Sequence, residues 1–172
     1  MSWDVYIEIF GKIESAEALS DLAKAAAVQG GTDWTASLEG ADDAAAVILA
    51  AAGEGDSFAL MCNEATSLFK EVTAACRAHG LSYVLHAGEC GGEGYDHMES
   101  WEPGMADPYE GPYDGNDPMV GLTDLKEAMQ KGIDIRGLVE DLERRTLAYV
   151  TERRIEVAPE VRPELMASAP KA

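Results

Sequence analysis

The alternation of apolar and polar residues is clearest in the middle of the chain. Residues 58–62 are almost all apolar, which is typical of a strand covered on both faces. Between residues 64 and 79, apolar side chains recur at three- and four-residue steps, which predicts a helix. Asn63 can cap its start, and Gly80 can end it in a left-handed conformation. Residues 81–87 then alternate, so the pattern predicts strand, helix, strand.

The N-terminal part repeats this order. Residues 3–10 and 32–39 each alternate between apolar and polar positions, which predicts two strands with one buried face. Strict alternation of this kind favours an antiparallel sheet. A helical apolar stripe lies between them, with Ser15 as its N-cap and Gly30 at its end. Residues 43–52 fit either a helix or a strand, and their alanine content favours the helix.

Two strand–helix–strand halves predict a ferredoxin-like α+β fold, an antiparallel sheet of four or five strands backed by two helices. Residues 1–150 suit a single domain, in which residues 95–101 return as the fifth strand of a hairpin. Residues 102–121 are rich in proline, glycine and acidic residues, which predicts a loop without regular structure. Two C-terminal helices follow within residues 122–150, and residues 151–172 are expected to form an extended tail.

The charge distribution narrows the possible functions. The formal net charge is −19, and residues 1–125 carry 23 acidic but only four basic side chains. From Lys126 onward the two signs balance, and no lysine or arginine lies between Ala78 and Leu125. Such a surface repels nucleic acids and anionic membranes and attracts basic proteins. We therefore expect a basic protein partner, with no direct binding to nucleic acid or membrane.

The cysteines bear on the cellular compartment. Cys62, Cys76 and Cys90 form an odd set without close pairs, which is typical of free thiols in a reducing environment. The first residues lack the basic start of a signal peptide, and no apolar run approaches the roughly 18–20 residues of a membrane helix. These features predict a cytoplasmic protein.

The segment from residue 96 to residue 117 is the main candidate for a functional surface. Its carboxylates can take the place of nucleic-acid phosphates in an Arg/Lys-rich groove, and its tyrosines and tryptophan can serve as rigid anchors. The predicted contact residues are Asp96, Glu99, Trp101, Glu102, Asp107, Tyr109, Glu110, Tyr113, Asp114 and Asp117. This pattern suggests a non-enzymatic inhibitor, immunity or anti-defence protein that acts by nucleic-acid charge mimicry. The simpler alternative is a solvated loop on a protein that is merely acidic.

A metal site is a second hypothesis. Zinc binds imidazole, thiolate and carboxylate groups, and a hairpin can bring together the three residues His86, Cys90 and His97. Such a site would make the protein a metal-binding sensor or a hydrolase-type enzyme, although the spacing matches no standard zinc motif. Calcium is a weaker variant of this hypothesis, with oxygen ligands from Asp107, Glu110, Asp114 and Asp117 but without EF-hand spacing.

A third hypothesis is a structural subunit of a larger complex, in which the neutral helical end rather than the acidic part is buried. The sequence contains no recognisable catalytic motif that would favour an enzyme. The glycine-rich segments lack a P-loop lysine, and no serine lies in a nucleophile-elbow motif. We therefore expect a protein that acts by binding.

Overall fold

The computed structural model describes residues 3–29, 38–62, 69–89, 96–114, 117–147, 150 and 152–161. In chain order the elements are β1 (Trp3–Ile13), α1 (Ala16–Gln29), α2 (Ala41–Glu54), β2 (Phe58–Cys62), α3 (Lys70–His79), β3 (Ser82–Glu89), β4 (Asp96–Trp101), β5 (Tyr109–Asp114), β6 (Asp117–Pro118), α4 (Leu122–Gln130), α5 (Ile135–Thr146) and β7 (Ile155–Val157). The predicted α+β class with an antiparallel sheet is confirmed. The ambiguous segment over residues 43–52 is helical, as its alanines favoured.

The strands follow the order β2-β1-β3-β4-β5-β6, with antiparallel neighbours throughout. β1 thus lies between β2 and β3, as the interleaved halves of a ferredoxin-like sheet require. The further strand predicted over residues 32–39 lies, up to residue 37, outside the described residues, as does the predicted helix cap at Asn63. Phe58 and Leu60 are buried while Ala59 and Met61 are half-buried, so β2 is covered on one face and not on two.

Side chains of β1 point to both faces of the sheet, which we call the inner and the outer face. Val5, Ile7 and Ile9 point to the inner face, where they join the main core with buried side chains of α1, α2 and α3. The local signals agree with this packing, because the Ser15 hydroxyl accepts a hydrogen bond from Ala18 N at the start of α1. α1 and α3 therefore present the apolar stripes that the sequence predicted to the inner face of the sheet, and α2 packs against α1 there.

The outer face carries a smaller core. Phe10, Val84, Met98 and Leu147 pack together there, so the residue that follows α5 lies across the strands. The Ser100 hydroxyl donates to the Arg145 carbonyl over 2.7 Å and fixes the end of α5 above β4. α4 and α5 confirm the two predicted C-terminal helices. The C-terminal end of α5 contacts the sheet.

The expectation that residues 102–121 lack regular structure is wrong, because β5 and β6 both lie within them. Pro112 is tolerated in β5 because its carbonyl accepts from Met119 N, just beyond the end of the short β6. In an antiparallel strand the N–H and C=O of one residue point to the same neighbour, so the missing N–H faces this short edge and not β4. Gly111 allows the Tyr109 ring to lie across the strand, where a Cβ would come within 2.4 Å of its hydroxyl oxygen.

The expectation of an extended tail is also wrong for the residues around β7. β7 pairs in parallel with residues 11–13 of β1, and Ile155 and Val157 are buried in the main core. Gly11 has a φ of 114° and donates from its backbone N–H to the Arg154 carbonyl over 2.9 Å. A left-handed glycine thus directs the end of β1 toward the C-terminal strand. Residues 162–172 lie outside the described part of the chain.

Candidate functional site

Four of the predicted contact residues lie on the β4–β5 hairpin. Glu99 and Glu110 are directly opposite each other in the strand pairing, and Glu102 and Asp107 lie in the connection between the strands. Asp107 and Glu110 are exposed, whereas Glu99 and Glu102 are half-buried. We call these four residues the acidic hairpin surface.

Among the described residues, no basic side chain neutralises the charge of the acidic hairpin surface by an ion pair. Within the part of the chain that the structure describes, none of its four carboxylates forms an ion pair with lysine, arginine or histidine. Directly opposite carboxylates on neighbouring strands repel each other and destabilise the pair. The acidic hairpin surface therefore has a negative potential that the fold itself does not relieve by ion pairing.

Glu99 is held in place from the inner face. The Tyr83 hydroxyl donates to Glu99 Oε1 over 2.5 Å. Burial raises the pKa of Tyr83 above its ordinary value, and the hydrogen bond to Glu99 raises it further, while the Arg77 guanidinium opposes the shift. A neutral tyrosine donor thus orients one carboxylate of the pair and brings no positive charge to it.

The aromatic residues that the sequence suggested as anchors belong mainly to the core. Trp101 is only 8% exposed, stacks on Tyr83 and donates from its indole nitrogen to the Met105 carbonyl. Tyr109 is 7% exposed and lies beneath the Arg145 guanidinium, 5.2 Å from ring centroid to Cζ. Neither ring is available to a partner, which corrects the expectation of exposed anchors.

The remaining predicted contact residues are only partly described. Tyr113 is half-buried and makes an edge contact with the His86 ring at 4.7 Å. Asp96 pairs with Tyr113, and Asp114 pairs with Asp117, in the backbone register. The side chains of these three aspartates lie outside the described residues, so the structure places only their backbones.

The proposed metal ligands do not converge. His86 is opposite Met98 on the outer face, whereas His97 is opposite Ala87 in the main core of the inner face. Directly paired residues share a face, so the two imidazoles point to opposite sides of the sheet and cannot hold one ion. Cys90 lies outside the described residues, and among those described no group of three or more histidine, cysteine or acidic side chains could hold a metal, whether zinc or calcium.

A second surface lies on α4 and α5, the neutral helical end that the third hypothesis names. Leu122, Met129, Ile135 and Val139 of these helices are exposed. The helices enclose with β5 an open groove of about 390 Å³. The balanced charge of this region is the signal behind that hypothesis, because a neutral helical pair differs from the rest of a strongly acidic chain.

Comparison with known proteins adds no relationship: no family model, no curated protein and no solved structure matches this chain. None of the helices in the described ranges is long and apolar enough to span a bilayer.

Proposed function

We propose that this protein is a non-enzymatic interaction protein whose acidic hairpin surface binds a basic surface of another protein. The observation that carries the proposal is the directly opposed pair Glu99 and Glu110, which has no ion-pair partner among the described residues. An arginine or lysine inserted between two such carboxylates converts a repulsive pair into charge-assisted hydrogen bonds. The hairpin therefore favours a cationic partner over solvent.

The sharpest form of this proposal is inhibition of a nucleic-acid-binding protein by charge mimicry. Carboxylates on a paired hairpin are more rigid than those on a free loop, so less order is lost when they enter a groove lined by arginine and lysine. The net charge of −19 supports the same partner class, because it opposes binding to nucleic acid itself. We place this activity in the cytoplasm, where the buried free thiol of Cys76 would remain reduced.

Burial of Trp101 and Tyr109 changes the expected energetics. Without exposed aromatic anchors, electrostatic steering contributes more to binding than apolar contact does. Association should therefore be fast at low ionic strength and should slow when salt shortens the Debye length to about 8 Å at physiological strength.

The experiment compares two charge-matched variants. One variant reverses Glu99, Glu102, Asp107 and Glu110 to lysine. The control reverses four exposed acidic residues on or beside the inner-face helices, namely Glu39, Asp42, Glu54 and Glu71. Both have the same net charge, so a difference between them reports the location of the charges and not their sum.

Proteins that wild type retains from lysate of the native host are identified by mass spectrometry and purified, and their dissociation constants are measured. We expect the hairpin variant to bind at least about tenfold more weakly than the control variant. Double-stranded DNA should compete with wild type if the partner is a nucleic-acid-binding protein. Equal affinity of the two variants for every purified partner would reject the acidic hairpin surface as the binding site.

The exposed apolar side chains of α4 and α5 favour a second candidate function. In this alternative the protein is a structural subunit, and its neutral helical end is buried in an assembly. The two candidates use different surfaces, so one does not exclude the other.

A further inference from the structure

Exposed apolar side chains are concentrated at one end of the molecule. Of nine large apolar side chains that are exposed among the described residues, eight lie between residues 119 and 150. Val28 on α1 is the exception. Isolated exposed apolar residues are normal, but a concentration of this kind marks a contact surface.

Five of these residues lie on α4 and α5. Leu122, Leu125 and Met129 recur at three- and four-residue steps, so they form one stripe along α4. Ile135 and Val139 are one turn apart on α5. We call these five residues the apolar hairpin face.

A groove runs beside this face. Its lining includes Met119 and Ala128, with Leu138 and Leu142 of α5. Charged side chains such as Glu127, Lys131 and Asp141 line it as well, so the exposed apolar contact area lies on the two stripes and not in the groove.

The charge of the residues around the apolar hairpin face indicates which kind of partner binds there. Residues 122–147 contain six acidic and five basic side chains, whereas residues 1–121 contain 22 acidic and four basic ones. A highly charged partner gains little at a surface of balanced sign, whereas another balanced, apolar surface is complementary to it. A second copy of this chain presents such a surface.

The charges around α5 are also self-complementary. Arg136 lies in the first turn of α5, Glu140 lies near its middle, and Glu143 lies in its second half. All three are exposed, and none forms an ion pair in the described part of the chain. Two α5 helices packed antiparallel about Val139 bring Arg136 of one copy beside Glu143 of the other, twice, as a two-fold interface requires.

We propose that the apolar hairpin face is a self-association surface through which two copies of this chain form a two-fold dimer. The dimer buries the apolar stripes of α4 and α5 and aligns Arg136 with Glu143 across the interface. This proposal does not depend on the binding of a partner at the acidic hairpin surface.

Sedimentation velocity of the full chain over a concentration series of about 1–100 µM tests the proposal. We expect wild type to pass from monomer to dimer. Val139→Glu and Met129→Glu should each raise the dimer dissociation constant at least about tenfold, because a carboxylate would be buried without a partner. Val28→Glu makes the same chemical change on α1 and should dimerise as wild type does. Far-UV circular dichroism checks that each variant folds.

A charge exchange identifies the two-fold geometry. Arg136→Glu and Glu143→Arg should each weaken the dimer, and the double variant should restore it. A wild type that stays monomeric over the whole series overturns the proposal. So does a dimer that Val139→Glu and Val28→Glu affect equally.

Salt separates this proposal from the one for the acidic hairpin surface. Dimer formation should strengthen as salt screens repulsion between the two acidic bodies, whereas binding of a basic partner should weaken. Failure of either proposal is therefore visible without reference to the other.

Discussion

Arg153 Nη1 lies 2.6 Å from Glu8 Oε2 and joins the C-terminal segment to the middle of β1. The Ser57 hydroxyl also donates to Glu8, and Arg153 Nη2 donates to the Leu147 carbonyl. The guanidinium lies 5.7 Å from the centroid of the Phe10 ring. Both charged side chains are less than one-fifth exposed, at 18% and 17%. This partly buried pair therefore fixes the segment that leads into β7.

Removal of one charge from this pair should destabilise the fold. Arg153→Met leaves the Glu8 carboxylate without its cation, and we expect the free energy of unfolding to fall by about 2–4 kcal/mol. Urea denaturation at pH 7 measures the change. The matched control is Arg154→Met, since Arg154 pairs with Glu156 at the surface and should change stability by less than about 1 kcal/mol. Equal effects of the two variants would show that the Glu8 pair does not hold the C-terminal segment.

Substitution of two glycines should have opposite effects. In Gly111→Ala the new Cβ would meet the Tyr109 hydroxyl and ring, so the ring must shift from its position beneath Arg145. We expect a loss of about 1–3 kcal/mol in the free energy of unfolding. Gly53→Ala lies in α2, where a Cβ meets nothing within 4 Å, and should gain up to about 1 kcal/mol from helix propensity. Thermal denaturation of both variants checks the sign, and a neutral Gly111→Ala would contradict the packing of Tyr109 on β5.

The repulsion within the acidic hairpin surface is measurable without a partner. Glu110→Gln removes one member of the opposed pair, and we expect the free energy of unfolding to rise by about 0.2–1 kcal/mol at low salt. The gain should shrink at high salt, because screening already weakens the repulsion in wild type. Asp107→Asn in the neighbouring connection has no opposed carboxylate in the strand pairing and serves as the control. A gain that is equal in both variants would mean that only net charge matters.

The sequence predicted those helices and strands whose buried side can be recognised from the spacing of their own apolar residues. In β1, α1 and β3 one side of the element lies in the main core, so the period of apolar residues indicates both the element and the side that faces this core. β5 and β7 were missed for a physical reason. β5 depends on the fit of Tyr109 over Gly111, and β7 is a three-residue strand whose partner lies near the other end of the chain.

The candidate site was predictable in its charge but not in its geometry. The opposed positions of Glu99 and Glu110 require the register between β4 and β5, which the sequence does not specify. The register between β3 and β4, which the sequence also leaves open, buries Trp101 opposite Tyr83 and separates His86 from His97. A shift of one residue would reverse each of these outcomes, so composition alone could suggest the acidic surface but could not separate anchors from core residues.

Alkaline pH should destabilise the protein through Cys76. Its side chain is fully buried on α3, and burial raises the pKa of the thiol above its ordinary value. The native state thus keeps a proton that the unfolded thiol, with a pKa of about 8.5, releases. The protonated thiol therefore contributes to the stability of the fold in full below about pH 8.5, the pKa of the unfolded thiol. This contribution is lost as the pH rises further, and the loss in the free energy of unfolding reaches about 2 kcal/mol at pH 10. Urea denaturation under reducing conditions at pH 7.5 and 10 should therefore show a larger loss for wild type than for Cys76→Ala, which has no thiol to titrate. Equal losses would mean that the Cys76 thiol ionises in the folded state as readily as in the unfolded chain.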